Sequence, residues 1–94
     1  MTVSSAFAVG FAELKIVDSN DTPISGVSIK LVKDDNVVFS DATGKVGVVQ
    51  WTSDKAPPGR YIVRMSKGSA YMAGAMNLEY REGEWVFFKI QFNL

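Results

Sequence analysis

The chain contains neither cysteine nor histidine in its 94 residues. Without cysteine there is no disulfide, no thiolate nucleophile and no cysteine-based zinc site. Without histidine the commonest general acid–base, the usual partner of a catalytic serine and the commonest transition-metal ligand are all missing. A hydrolase built from this chain would have to work through carboxylates or lysine. Net charge is absent too, since ten basic and ten acidic residues cancel. That balance sets up no field to attract nucleic acid or an anionic membrane. The longest charge-free stretch, Met1 to Ala12, falls short of the ~20 apolar residues that span a bilayer. It also lacks the basic start of a signal peptide, so neither a signal peptide nor a transmembrane segment is expected.

What the chain does have is apolar content and turns. Hydrophobic residues make up 47% of it, which suits a packed core and argues against disorder. Its length fits one domain, 1–94, with 1–11 as an apolar N-terminal strand or arm. Phe11 to Val17 reads as a strand, with Leu14 and Ile16 on one face and Glu13 and Lys15 on the other. After a polar turn at Ser19 to Thr22, Val27, Ile29 and Leu31 alternate with Ser28 and Lys30, the period of a half-buried strand. Asp34-Asp35-Asn36 reads as a hairpin turn, followed by a short strand from Val37 to Ser40. Asp41 to Gly44 reads as a second tight turn. Beyond it Val46 and Val48 are expected on one face, with Val49 and Trp51 on the other.

A loop with two prolines, Thr52 to Gly59, leads to a strand with Tyr61, Val63 and Met65 inward. Tyr71 to Tyr80 is a weaker strand, in which Gly74 suggests a bulge or bend. Glu84 to Leu94 is expected to be the longest strand. The expected central core is Val27, Ile29, Leu31, Val63, Phe88 and Ile90. No segment carries a sustained helical period with capping signals. The pattern is that of an all-β chain of about seven or eight strands, with turns every ~8–12 residues, as in a sandwich.

The order of the turn motifs from Glu13 to Met65 resembles a known group. The pieces are Asp18, Pro23-Ile24-Ser25-Gly26-Val27, Ser40-Asp41-Ala42-Thr43-Gly44 and Pro57-Pro58-Gly59-Arg60-Tyr61. Together they are similar to Cna-B-type and carboxypeptidase-regulatory-like modules of the transthyretin-like group. The resemblance implies a single antiparallel Greek-key β-sandwich, transthyretin-like or Ig-like, used as a stalk, adhesin repeat or accessory domain. Many Cna-B-type modules carry an isopeptide crosslink between a first-strand lysine and a last-strand asparagine, assisted by a buried acid. Here the lysine position holds Ile16, Lys15 is one residue off and so on the other face, and the acid position holds Met65. Asn93 is a plausible amide with both partners missing, so no crosslink is expected. The group also includes a ring-opening hydrolase of purine breakdown, whose site depends on histidines.

Other candidate sites have plainer readings beside them. Asp34, Asp35 and Asp41 place loop oxygens where Ca²⁺ could sit, yet turns favour aspartate for local hydrogen bonds. Glu79, Glu82 and Glu84 cluster around one turn with Arg81 between them, which reads as a solvated turn rather than a paired-carboxylate site. Trp51, Trp85 and Phe87 fall opposite the main core pattern. There they would be covered by the chain itself, anchor a protein interface, or stack on sugar rings. Val3, Phe7, Val9 and Phe11 alternate with small residues in the charge-free run. Such a strand must pair with its own sheet or with a neighbouring subunit. The sequence therefore points to a non-catalytic structural or adhesive module that self-associates or docks on a virion or cell-surface assembly. The alternative is a carbohydrate-binding module using exposed tryptophan. The expected partner is protein, as a homo-oligomer or larger assembly, or else carbohydrate, with no nucleic acid, no membrane insertion and no cofactor. Val3, Phe7, Val9, Phe11, Trp51, Trp85 and Phe87 are the candidate interface residues.

Overall fold

A computed structural model describes residues 10–94, which form seven strands and no helix. They are β1 (Phe11–Val17), β2 (Ser28–Lys33), β3 (Asn36–Ala42), β4 (Val48–Thr52), β5 (Gly59–Lys67), β6 (Ala70–Leu78) and β7 (Trp85–Gln91). Two sheets face each other, a three-stranded one in the order β4-β1-β7 and a four-stranded one in the order β3-β2-β5-β6. All pairings are antiparallel except that of the first and last strands, which run parallel. A parallel pair needs a crossover connection, and here the chain from β2 to β6, the whole second sheet and β4, serves as that connection.

Local chemistry accounts for the turns. Asp34 and Asp35 both sit at positive φ, 51° and 65°, which a two-residue hairpin turn of the strand-matching hand requires and aspartate tolerates. The loop after β1 is held by the Asp18 carboxylate, which accepts from the Asn20 and Thr22 N–H groups at 2.8 and 3.0 Å. The turn before β4 lies later than its sequence suggests. It closes at Gly44–Gly47, where the Gly47 N–H donates to the Gly44 carbonyl at 2.9 Å. Gly47 has φ +74°, and a Cβ there would come within 2.8 Å of the Ile16 carbonyl oxygen.

Two of the motifs prove to be one brace. Thr43, the only buried polar residue among those described, accepts the Val27 N–H at 2.9 Å and donates to the Ile24 carbonyl at 2.7 Å. Its own backbone exchanges bonds with Gly26 and Val27 at 2.8 and 2.9 Å. The Pro23–Val27 segment and the Asp41–Gly44 segment are thus tied across the entry to β2. The Pro57–Tyr61 motif is tied likewise, since the buried Tyr61 hydroxyl donates to the Pro57 carbonyl at 2.5 Å.

The core lies between the sheets and is built from Leu14, Ile16, Val27, Ile29, Leu31, Tyr61, Val63, Met65, Leu78 and Phe92, all fully buried. The strand phases of β1, β2 and β5 are those the alternation gives. Four expectations need correction. Val46 lies in the turn and is exposed, so β4 starts at Val48 with Val49 and Trp51 inward. β7 is shorter than the nine-residue β5 and β6. Gly74 makes no bulge but pairs in unbroken register with Val63, and the register shift lies between Leu31 and Val32 instead. Phe88 and Ile90 face the core but are only partly buried, because β7 is an edge strand.

This difference has a measurable consequence. Leu31→Ala, in the centre of β2, should cost about 2–5 kcal/mol. Phe88→Ala should cost less than the ~3–5 kcal/mol of a fully enclosed phenylalanine, since part of its ring already meets water. Urea unfolding of the two variants checks the order.

Candidate interface on the outer face and edge of the small sheet

The outer face of the three-stranded sheet is set by its register. Thr52, Phe11 and Trp85 form one row, Gln50, Glu13 and Phe87 the next, and Val48, Lys15 and Lys89 the third. Aromatic side chains therefore gather at one end. Phe11 and Trp85 lie with ring centroids 5.2 Å apart, and Trp85 stacks on Phe87 at 6.3 Å with planes 21° apart. Such pairs contribute about 0.5–1.5 kcal/mol beyond their burial. Even so, Trp85 is 42% and Phe87 66% exposed. Beside them the Gln50 amide donates to the Glu13 carboxylate at 2.8 Å. The opposite end of the face is charged. There Lys89 donates to Asp21 at 2.9 Å, and this hydrogen bond, with the lysine charge, holds the Asp21 carboxyl below its ordinary range.

Next to this face runs a groove of about 480 Å³. On one side are Asn77, Glu79, Tyr80 and Arg81, where the chain leaves β6. On the other are four consecutive residues of β7, Trp85 to Phe88. Successive strand residues point to opposite faces, so a groove lined by all four lies along the edge of β7 and not on either face.

Of the candidate interface residues, Phe11, Trp85 and Phe87 are brought together here. Val3, Phe7 and Val9 lie outside the described residues. Trp51 is a correction. It is 4% exposed and belongs to the core, because Val46 sits in the turn and the face of β4 carrying Val49 and Trp51, not Val48, meets the core. Its ring lies 5.4 Å from that of Phe39, and its indole N–H donates to the Tyr80 hydroxyl at 3.0 Å. The Tyr80 hydroxyl in turn donates to the Ala56 carbonyl. Tyr80 also packs where a Cβ on Gly10 would be, 2.3 Å away, so only glycine fits at the entry to β1. Nothing in the residues around Tyr80 signals this role, because its partners come from distant loops.

The carboxylate candidates do not converge. Asp34 and Asp35 form their hairpin turn, and the Asp41 carboxylate accepts the adjacent Ala42 N–H at 2.8 Å. Among the described residues no three His, Cys, Asp or Glu side chains are placed to hold a metal ion. Glu79, Glu82 and Glu84 are exposed. Lys15 lies on the outer face, while Ile16 and Met65 are buried where a crosslinking module would hold its lysine and acid. No helix among the described residues is long and apolar enough to cross a membrane.

No protein-family model and no curated protein matches the sequence. Solved structures do match. A streptococcal ancillary pilin superposes with a TM-score of 0.68 at 17% identity, over 97% of this chain and 34% of that one. The TIE protein of Bacillus anthracis gives 0.67 at 13% identity, over 92% of this chain and 16% of that one. The 5-hydroxyisourate hydrolase of Klebsiella pneumoniae gives 0.59 at 18% identity, over 89% of this chain and 86% of that one. The chain thus spans about a third of the pilin and about a sixth of the TIE protein. The fold is a Cna-B-like, transthyretin-like β-sandwich, and at these identities the likeness concerns fold alone.

The Tyr80 cluster makes a pH prediction. Burial pushes the Tyr80 hydroxyl from its ordinary 10.0 up to about 12, against a smaller lowering by the Trp51 hydrogen bond. Burial raises Tyr61 as well. An unfolded chain loses these protons near 10 while the folded one keeps them, so stability is full below pH 10 and falls between 10 and about 12. Urea unfolding across that range should show the decline. Tyr80→Phe should lower stability at neutral pH and make the alkaline decline shallower, leaving the part due to Tyr61.

Proposed function

We propose that this chain is a non-catalytic structural module that works through protein–protein contacts in a cell-surface assembly. The observation that carries the reading is the aromatic cluster on the outer face of the small sheet, where Phe11 is half-buried and Trp85 and Phe87 are exposed. Large aromatic side chains held rigidly by a sheet lose little entropy on binding and are favoured as interface anchors. The likeness of fold to a pilin supports a surface setting. The likeness to a hydrolase supports no activity here, because the chain offers no histidine. The partner in this reading is another copy of the chain.

One observation favours a second reading. The Glu13–Gln50 pair puts a carboxylate and an amide next to the aromatic row, an arrangement that suits a sugar ring stacked on Trp85 or Phe87. Against it, the two polar groups already satisfy each other.

Light scattering at two concentrations tests the assembly reading, with tryptophan emission as a second readout. Trp51 is already enclosed in the core, so a change in emission reports Trp85. Mass should rise and emission shift to the blue as concentration increases, and Trp85→Ala should weaken both. Constant mass and constant emission at the highest concentration would overturn self-assembly. A blue shift on adding oligosaccharide to that monomer would put the sugar reading first.

A further inference from the structure

The two sheets are unequal, and the inequality leaves a gap. β3 and β4 touch along one side of the sandwich. Counting across from there, β4, β1 and β7 face β3, β2 and β5, and β6 is left with no strand opposite it among the described residues. The inward phase of β6 shows the consequence. Met76 and Leu78 are buried, but a Cβ built on Gly74 would meet no described atom within 4 Å, and Met72, two residues before it, is exposed. Facing the same gap, Val86, Phe88 and Ile90 of β7 are only half-buried.

The edge of β7 beside the gap has hydrogen bonds to give. The Phe92 N–H donates to the Val17 carbonyl at 2.8 Å, so the backbone groups of even-numbered residues point toward β1. Those of Trp85, Phe87 and Lys89 then point the other way, where no described strand lies, the first two beside the groove.

We propose that residues 3–9 of a second copy of this chain fill the gap as an added strand on the edge of β7. This rests on the assembly reading above and names its contact. The segment Val3-Ser4-Ser5-Ala6-Phe7-Ala8-Val9 is as long as β7 and carries no charge. As a strand it puts Val3, Ser5, Phe7 and Val9 on one face and the small residues Ser4, Ala6 and Ala8 on the other. The bulky face completes the core beside Val86, Phe88 and Ile90, with Phe7 over the open space at Gly74. The small face leaves room for Trp85 and Phe87. A strand added in this way gains main-chain hydrogen bonds for affinity and side-chain fit for specificity.

A copy's own segment fits the gap poorly. The chain enters the centre of the small sheet at Gly10, pinned by Ser53. The Gly10 N–H donates to Ser53 Oγ at 3.0 Å, and its carbonyl accepts the Ser53 N–H at 2.9 Å. Reaching beyond its own β7 means crossing two strand spacings, about 10 Å, which takes about three residues and a reversal of direction. Those residues would be Phe7, Ala8 and Val9, with no Gly, Pro, Asn or Asp among them to turn the chain. Segment and edge are different surfaces, so the contact is head-to-tail and repeats along a series of copies.

A mixing experiment on the full chain tests this. Phe7→Asp spoils the donated segment and leaves the edge intact. Phe87→Pro removes an edge N–H, a change that edge strands tolerate, and leaves the segment intact. Should Phe87→Pro fail to fold, as urea unfolding would reveal, Gly74→Phe replaces it and fills the open space with its own ring. By light scattering, the unaltered chain should associate, each variant alone should be monomeric, and an equimolar mixture should form dimers through the one remaining junction. If the unaltered chain associates and neither variant changes its mass, this contact is wrong and the assembly reading stands. Variants that lose stability without changing mass, and do not complement each other, would place the segment in its own sheet and overturn the proposal. A monomeric unaltered chain would overturn both.

Discussion

The parallel pairing of β1 with β7 is the constraint from which the rest of the molecule follows. It brings the first and last strands side by side over seven residue pairs. The small sheet then closes at three strands against four. The same register sets Phe11 beside Trp85 and Glu13 beside Phe87, so the aromatic row on the outer face is a product of this pairing and not of any local motif. Among the described residues it also leaves β7 at the sheet edge, with the outward backbone groups of Trp85 and Phe87 beside a groove. Sheet edges are hazards that folded proteins usually blunt with charge, bulges or cover. Here Lys89 is the one charged side chain within β7, and it lies at the end away from the groove.

The loops beside this open side are tightly braced. Thr43 joins the two loops that frame β2, and Tyr61 and Tyr80 fix the loop before β5 to the core. These bonds lie in buried or partly buried surroundings, where a donor or acceptor left without a partner costs about 1–3 kcal/mol. Among the described residues the fold thus pairs braced loops with one uncovered margin, which the proposed added strand would cover.

Much of this was legible in the sequence, and the reasons for success and failure are physical. The phases of β1, β2 and β5 could be read because each has one buried face, which forces strict alternation: Leu14 with Ile16, Val27 with Ile29 and Leu31, Tyr61 with Val63 and Met65. The motif order of turns was legible because turns depend on local chemistry. Trp51 was misplaced because a valine at 46 looks like strand, and only the backbone shows that it sits in a turn. The partial exposure of Phe88 and Ile90 could not be read, because a strand's place in its sheet leaves no mark on its own alternation. The space at Gly74 was visible as a glycine, but its meaning depends on the opposite sheet having no described strand across from it. Of the site, Trp85, Phe87 and Phe11 were legible as apolar residues on the outward phase. The Glu13–Gln50 pair and the Tyr80–Trp51 bond were not, since both join residues far apart in sequence.

Amide hydrogen exchange along β7, followed by NMR at increasing protein concentration, tests most directly the claim that this edge receives a strand from another copy. The amides of Phe88, Ile90 and Phe92 face β1 and should be protected at every concentration. Those of Phe87 and Lys89 should exchange freely in dilute solution and become protected as the protein associates. Protection of Phe87 and Lys89 already in the dilute monomer, or its absence from the associated protein, would contradict the account.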